Sequence, residues 1–245
     1  MNQHKIICKE VKRQNHDTKI IRFQNFENDD FNFEAGQFVM LSKEDFVNDK
    51  NRPVKRAYSI CNAPYESNII EFLIQILPNG KFTSNVLDFV KSGDKLSMSR
   101  AHGRMVLNKK KPKGILLFAA GIRICPIRSI LREYYHLFED IPILLFYCAR
   151  NKDDFHYIDE FLEYEKNRNF KIYISFTSKI EKKPNEWIGI QGRMNEKFIK
   201  DYISNIENIN EYETYICTPK KLFELINNTL TNIGLKQDLI LHECW

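Results

Sequence analysis

The sequence predicts an antiparallel β-barrel followed by a doubly wound parallel α/β domain. Short segments of alternating apolar residues fill the chain up to about residue 110, and continuous apolar runs separated by amphipathic stretches follow. With 245 residues, of which 43% are hydrophobic and 28% charged, the chain is long enough for two domains of ordinary size. We place the domains at residues 1–110 and 111–245, joined by a lysine-rich link that is typical of a solvated connector.

The first domain contains six segments with the alternation of strands that bury one face. They are residues 5–11, 18–23, 37–41, 56–61, 70–77 and 95–99. Turn residues such as Pro78, Asn79 and Gly80 separate these segments, which favours antiparallel pairing. One short helix is expected at residues 84–90.

The second domain alternates strands with helices. Five apolar runs suit parallel strands buried on both faces, at residues 115–120, 141–149, 172–176, 215–217 and 239–241. Amphipathic stretches of helical length lie between them, at residues 127–138, 154–167, 195–204 and 220–232. This order predicts a doubly wound sheet, which presents ligands at the carboxyl ends of its strands.

Composition and charge exclude several classes of protein. No apolar run approaches the 18 residues that a membrane span needs, and the first residues lack the apolar core of a secretory signal, so we expect a cytoplasmic protein. The six cysteines are scattered without the spacing of a zinc or iron–sulfur site, so we interpret them as reduced thiols and expect no metal. The net charge of +5 suits an acidic partner or an anionic cofactor and is too small to indicate nucleic acid.

The most informative motif is the tetrad Arg56-Ala57-Tyr58-Ser59. In a strand, Arg56 and Tyr58 project from one face and Ser59 from the other, so the segment can reach two parts of a long ligand. An arginine can clamp a pyrophosphate, a tyrosine can cover an aromatic ring, and a hydroxyl can bond the edge of that ring. The alternative for the tetrad alone is a surface strand with a half-buried tyrosine.

The order and spacing of the motifs resemble the ferredoxin:NADP reductase superfamily over nearly the whole chain. The family's R-x-Y-S motif is matched by Arg56, Tyr58 and Ser59. In members of the family the arginine contacts the FAD pyrophosphate, and the tyrosine and serine contact the isoalloxazine. The resemblance therefore implies that the first domain is an FAD-binding barrel and that these residues hold the cofactor, with Ala57 between them.

A second stretch of the first domain is similar to the family's G-x-x-S/T loop. It is the segment Gly80-Lys81-Phe82-Thr83-Ser84, and the resemblance implies cofactor contacts from Gly80, Phe82, Thr83 and Ser84. The loop opens the expected short helix, and amide groups at a helix N-terminus attract phosphate. Ser84 can alternatively be a helix cap.

The first strand-to-helix turn of the second domain departs from the family pattern. Members carry G-G-T-G-I-A-P, whereas residues 120–126 read A-G-I-R-I-C-P. Gly121 and Pro126 match the pattern, and Arg123 replaces a glycine that permits close approach of a pyrophosphate. Arg123 either contacts the phosphates of the dinucleotide or occupies the space of the nicotinamide. We favour retained binding of NAD(P)H.

Four other positions resemble family motifs in or near the nicotinamide site. Cys217, Thr218 and Pro219 are similar to the family's C-G-P, whose cysteine lies near the reacting nicotinamide. Thr218 replaces the glycine, and Cys217 can alternatively be a small buried core residue. Arg150 and Lys179 resemble positions that favour NADPH over NADH, and a terminal aromatic such as Trp245 covers part of the flavin in several members.

The resemblance implies an FAD-dependent reductase that takes a hydride from NADPH or NADH and passes single electrons to a separate carrier. Its catalytic residues would be Tyr58, Ser59 and Cys217. The basic excess and the lysine run at residues 109–113 indicate an acidic carrier, a ferredoxin or a flavodoxin. Two alternatives stay open: a flavin-binding electron-transfer or regulatory subunit with impaired nicotinamide binding, and a reductase of free flavin or quinone.

Overall fold

The chain divides into two compact units. The structure, a computed structural model, describes residues 3–25, 31–66, 68–108, 110–138, 141–178 and 190–244. The first unit comprises Met1–Leu107 with Arg128–Leu137, and the second comprises Asn108–Ile127 with Phe138–Trp245. The predicted domain boundary after residue 110 stays a prediction, because these units follow contacts rather than chain order.

The first unit is built on a six-stranded antiparallel sheet, as the alternating segments predict. Its strands are β1 (Gln3–Arg13), β2 (Thr18–Asn25), β3 (Phe38–Val47), β4 (Pro53–Ser59), β5 (Ile70–Gln75) and β6 (Lys95–Ser99). Their order is β4-β3-β6-β1-β2-β5. Alternate side chains of these strands, such as Ile6, Cys8, Ile21 and Phe23, form one core. The ladder therefore has the period of two that marks a sheet with one buried face.

A tight turn precedes β3 at Gly36. Its φ is +101°, and a Cβ there would lie 2.1 Å from the carbonyl oxygen of Met105. Both the left-handed backbone and the close approach exclude other residues from this position.

The expected helix at residues 84–90 is shorter in the structure. It is a π-helical turn over Thr83–Leu87. Lys19 Nζ binds the carbonyl oxygen of Asp88 at 2.6 Å and its carboxylate at 2.5 Å. This buried cation engages the carbonyl that would continue the helix, and the turn ends there.

The second unit contains a parallel sheet with helices, which confirms the predicted fold class. Its strands are β7 (Ile115–Ala120), β8 (Ile143–Ala149), β9 (Phe170–Phe176), β10 (Ile190–Gln191), β11 (Glu213–Cys217) and β12 (Ile240–Glu243). The helices are α1 (Ile124–Leu137), α2 (Ile158–Asn167), α3 (Glu196–Ile203) and α4 (Lys220–Asn232). The residues of α1 from Arg128 onward belong to the first unit. In the described part of the chain, no helix combines the length and apolar character that crossing a bilayer requires.

The strand order reverses beside β7. The sheet runs β10-β9-β8-β7-β11-β12, so the chain moves outward from β7 to β9 and then returns to the other side of β7 as β11. In register, Ala119 faces Tyr147 on one side and Cys217 on the other. Ligands of doubly wound sheets bind at this switch point, outside the carboxyl ends of the strands.

Helix α2 begins at residue 158 rather than at the predicted residue 154. A separate 3-10 turn precedes it, closed by reciprocal hydrogen bonds between Asn151 and Asp154. Tyr157 then adopts a left-handed conformation with φ +59°, which a continuous right-handed helix cannot include. The amphipathic pattern predicts the helix correctly, but the local capping chemistry moves its boundary.

Candidate functional site

The tetrad lies at the end of β4 and offers three different groups. Arg56 is exposed, and its Nη1 donates to the carbonyl oxygen of Lys55 at 2.8 Å. Tyr58 is half-buried, with its ring centroid 6.4 Å from those of Phe72 and Phe82. Within the described residues, no group hydrogen-bonds the half-buried hydroxyl of Ser59. The strand thus carries a solvent-facing cation, a fixed aromatic ring and an unpartnered hydroxyl within four residues.

Burial keeps the Tyr58 phenol neutral. Desolvation raises the pKa of Tyr58 above its usual value, and the nearby Arg56 charge lowers it by a smaller amount. The effect of Arg56 shows that the guanidinium lies close to the phenol. At physiological pH, Tyr58 can therefore stack on a ring and donate a hydrogen bond, but it does not act as a base.

The loop that begins at Gly80 is tightly closed. A Cβ on Gly80 would lie 2.1 Å from Thr83 Oγ1, so this position requires glycine. The Ser84 hydroxyl donates to the carbonyl oxygen of Gly80 at 2.6 Å, so it does not cap the turn by accepting an amide. Phe82 is buried against Tyr58, which joins this loop to the tetrad. A phosphate at the loop must compete with Gly80 for the Ser84 proton.

Gly121 opens the turn after β7. Its φ is +53°, and no atom lies within 4 Å of the position that a Cβ would occupy. The Tyr147 hydroxyl donates to the carbonyl oxygen of Gly121 at 3.0 Å and accepts from the amide of His156 at 3.1 Å. Full burial raises the pKa of Tyr147 well above its usual value, so the phenol keeps the proton that it donates. Tyr147 therefore fixes the backbone of this turn.

Arg123 ends a 3-10 turn that leads into α1. Its charge lowers the pKa of both Cys217 and Cys244, which places the guanidinium beside the carboxyl end of β11 and the segment after β12. Pro126 is buried in the first turn of α1, where its missing amide proton needs no acceptor. The structure thus directs the charge of Arg123 toward Cys217.

Cys217 is packed inside the sheet at the switch point. Its side chain is 1% exposed, and Thr218 beside it is 0% exposed. Burial is the main cause that raises the pKa of Cys217, and the charge of Glu243, which pairs with it in register, raises it further. The thiol is therefore protonated. The buried Thr218 Oγ1 has no hydrogen-bond partner among the described residues.

The remaining predicted residues are less enclosed or lie outside the described residues. Arg150 is exposed directly after β8, and its carbonyl oxygen accepts from the amide of Ser178 at 2.8 Å. It therefore lies at the same edge of the sheet as Gly121. Lys179 and Trp245 fall outside the residues that the structure describes.

Comparison with known proteins decides the family. Residues 5–107 match the oxidoreductase FAD-binding domain, and residues 117–228 match the oxidoreductase NAD-binding domain. The chain is 31% identical over 193 residues to a flavodoxin/ferredoxin–NADP reductase of Buchnera aphidicola subsp. Schizaphis graminum, covering 76% of this chain and 74% of that relative. The chain belongs to the ferredoxin reductase-like superfamily.

Other members of the superfamily differ in length and in name. One component of the Na(+)-translocating NADH-quinone reductase of Psychrobacter cryohalolentis is 27% identical over 225 residues, which are 87% of this chain and 52% of that relative. The chain thus spans about half the length of that relative. A ferredoxin NADP+ reductase from Neisseria gonorrhoeae, solved with bound FAD and NADP, shares the fold with a TM-score of 0.81. It is 18% identical, and the match covers 100% of this chain and 99% of that one.

As a member of the superfamily, the chain is an oxidoreductase with FAD-binding and NAD(P)-binding domains. Two residues near the candidate site were missed by sequence reasoning. Tyr147 lies within a continuous apolar run, and nothing in that pattern marks its hydroxyl as a partner of Gly121. Glu243 reaches Cys217 only through the parallel pairing of β11 with β12, which the sequence does not specify.

Tyr147→Phe should lower the free energy of unfolding by about 1–3 kcal/mol, because it leaves the buried amide of His156 without its acceptor. Urea unfolding followed by circular dichroism measures the change. Tyr164→Phe is the control, since the Tyr164 hydroxyl meets Glu160 only at 3.4 Å, and it should change stability by less than about 0.5 kcal/mol. Equal losses in the two variants would contradict a fixing role for Tyr147.

Proposed function

We propose that this chain is an FAD-dependent oxidoreductase that takes a hydride from NADPH and passes electrons singly to an acidic carrier of the ferredoxin or flavodoxin class. The carrying observation is the end of β4, where Arg56, Tyr58 and Ser59 present an exposed cation, a fixed ring and an unpartnered hydroxyl. These are the groups that a flavin dinucleotide needs along its length. Membership of the superfamily supports the same cofactor.

The residues of β4 fit FAD chemically. When bound, FAD accepts an electron pair as hydride and releases electrons one at a time. Arg56 would neutralise the pyrophosphate, since its guanidinium forms no ion pair within the described residues. The neutral ring of Tyr58 would pack on the cofactor, and the Ser59 hydroxyl would donate to the edge of the reacting ring.

The carboxyl edge of the parallel sheet fits a nicotinamide dinucleotide. The open space beside Gly121 admits a backbone approach to phosphate, as its positive φ requires. The exposed guanidinium of Arg150 offers a partner for a 2'-phosphate, which supports NADPH over NADH. Cys217 would contact the nicotinamide as a neutral thiol, because its raised pKa excludes the thiolate at physiological pH.

One observation supports the alternative of a flavin-binding subunit with impaired nicotinamide binding. Thr218 is completely buried and Arg123 acts on Cys217, at two positions where the family has glycine. A nicotinamide that reaches Cys217 must therefore displace side chains that glycine would not supply. The two functions differ in one measurable respect, which is reduction of the bound flavin by NAD(P)H.

The basic surface supports an acidic carrier. The chain has 37 basic and 32 acidic side chains, and Lys110, Lys111 and Lys113 are exposed or half-buried in the segment before β7. Opposite charges mainly accelerate the encounter of two proteins. A free flavin or a quinone would not depend on this surface to the same degree.

The purified protein should bind FAD without a covalent bond, and Arg56→Ala should weaken binding by about ten- to hundredfold, because a charged contact to phosphate is lost. Titration of the FAD-free protein with FAD, followed by flavin fluorescence, measures both constants. Arg52→Ala removes another exposed arginine just before the same strand and should leave the constant unchanged. A wild type that takes up no FAD from excess would disprove the cofactor assignment.

Arg123→Gly should lower the Michaelis constant for NADPH by about threefold to tenfold, because the guanidinium lies beside Cys217 in the space expected for the nicotinamide. Anaerobic bleaching of the flavin by NADPH, and then by NADH, measures the reduction in both proteins. Arg123→Lys keeps the charge and should give an intermediate constant. A raised constant would instead indicate that Arg123 contacts the phosphates, and flavin bands that no nicotinamide bleaches would favour the subunit.

Electron transfer to an acidic carrier should slow as salt rises, because the screening length falls from about 10 Å at 0.1 M to about 3 Å at 1 M. Turnover with ferricyanide should change less. Replacing Lys110, Lys111 and Lys113 with glutamate should reproduce the slowing at low salt, whereas the same reversals at Lys197, Lys200 and Lys236 should not. A carrier rate that is indifferent to salt and to these reversals would point to a free-flavin or quinone reductase.

A further inference from the structure

We propose that Arg128 and Ser129 of α1 are positioning residues for the Ser59 hydroxyl. The inference rests on the proposed function, in which Ser59 donates to the reacting edge of the flavin. Neither residue belongs to the tetrad or to the dinucleotide turn. Both act on the chain segment that directly follows Ser59, at residues 60–63.

Two side-chain donors of α1 engage consecutive carbonyl groups of this segment. Arg128 Nη1 donates to the carbonyl oxygen of Cys61 at 3.0 Å, and Ser129 Oγ donates to that of Asn62 at 2.7 Å. Both donors are buried, with Arg128 5% exposed and Ser129 0% exposed. Water cannot replace such bonds without opening the packing, so they fix the direction of the backbone two and three residues after Ser59.

The other side of the segment is held by β5. The amide of Cys61 donates to the carbonyl oxygen of Glu71 at 2.9 Å, and the amide of Glu71 donates to Asn62 Oδ1 at 2.8 Å. Asn62 Nδ2 in turn donates to the carbonyl oxygen of Ile69 at 2.7 Å. The segment therefore lies between a strand and a helix, and only the helix supplies donors to the carbonyls of Cys61 and Asn62 among the contacts described.

A chain of charges holds Arg128 in place. Its Nη1 donates to Glu71 Oε1 at 2.9 Å, while Arg22 Nε donates to Glu71 Oε2 at 2.7 Å. Arg22 Nη1 also pairs with Glu10 at 2.7 Å, so positive and negative groups alternate from β1 to α1. A buried guanidinium with two acceptors in fixed directions cannot rotate freely. The rigidity of this arrangement passes to the backbone after Ser59.

The mechanism is indirect. The structure shows no hydrogen bond between the Ser59 hydroxyl and α1 within the described residues. A hydroxyl that must point at one atom of a bound ring depends on the backbone that carries it, and small displacements of a reacting group slow a reaction strongly. Loss of the α1 donors should therefore affect the chemistry of Ser59 more than the affinity for FAD.

The test uses the full-length protein with Ser129→Ala, which removes one donor at almost constant volume. Thr229→Val is the matched control, because it removes a buried hydroxyl that donates to the carbonyl oxygen of Leu225 at 2.8 Å. Before FAD is added, amide exchange at Ile60 and Cys61 should accelerate by about tenfold in Ser129→Ala and not in the control. Unchanged exchange at these amides would overturn the proposal.

The second measurement is the rate of flavin reduction in the FAD-loaded protein. Ser129→Ala should slow it by about tenfold with FAD still bound stoichiometrically. The double variant Ser59→Ala with Ser129→Ala should be no slower than Ser59→Ala alone, because Ser129 acts through Ser59. Arg128→Lys, which keeps the charge beside Glu71 but not the planar fork, should follow the same rule.

The outcomes separate the proposal from the function on which it rests. Effects of Ser59→Ala and Ser129→Ala that multiply in the double variant would show independent roles and would overturn the positioning. Failure of the wild type to bind FAD would instead remove the proposed function. The exchange rates of Ile60 and Cys61 need no flavin, so they decide separately whether α1 orders this segment.

Discussion

The carboxylate of Glu71 is the interaction on which the first unit depends. It is 4% exposed and takes one arginine on each oxygen, Arg22 from β2 and Arg128 from α1. Removing one partner of a buried ion pair typically destabilises a protein by about 3–5 kcal/mol, since the remaining charge has neither water nor a counterion. Strand β5, its neighbour β2 and half of helix α1 therefore form together or not at all. Residues with a proposed chemical role, such as Ser59, are attached to this frame rather than part of it.

The frame separates ordered support from chemical groups that stay available. Arg128, Ser129 and Tyr147 donate to backbone or carboxylate oxygens in the interior. Arg56 and the Ser59 hydroxyl, by contrast, have little or nothing to bind within the described residues. A protein that must hold a ligand in one orientation needs both kinds of residue, because unsatisfied groups are useful only when their backbone is fixed.

The sequence predicted the fold well because its signals were periodic. Alternation identified all six strands of the first sheet, and apolar runs identified five of the six strands of the second, with β10 missed because it has only two residues. Boundaries failed where a local interaction competes with the pattern, as at Tyr157. The tetrad and the glycine turns were visible as motifs. Tyr147, Glu243 and the Glu71 pairs were not, because their roles arise from residues far apart in the chain.

The shared helix has a consequence for how such proteins exchange parts. Residues 128–137 follow the boundary at which a recombination event would join one nucleotide-binding half to another, yet they belong to the first unit. A hybrid made at residue 110 would keep Glu71 and inherit a foreign helix in place of Arg128 and Ser129. Unless that helix offered an arginine and a hydroxyl at the same two positions, the host barrel would hold a buried carboxylate with half of its countercharge. The first unit is therefore transferable as a module only together with residues 128–137, which the order of the chain assigns to its neighbour.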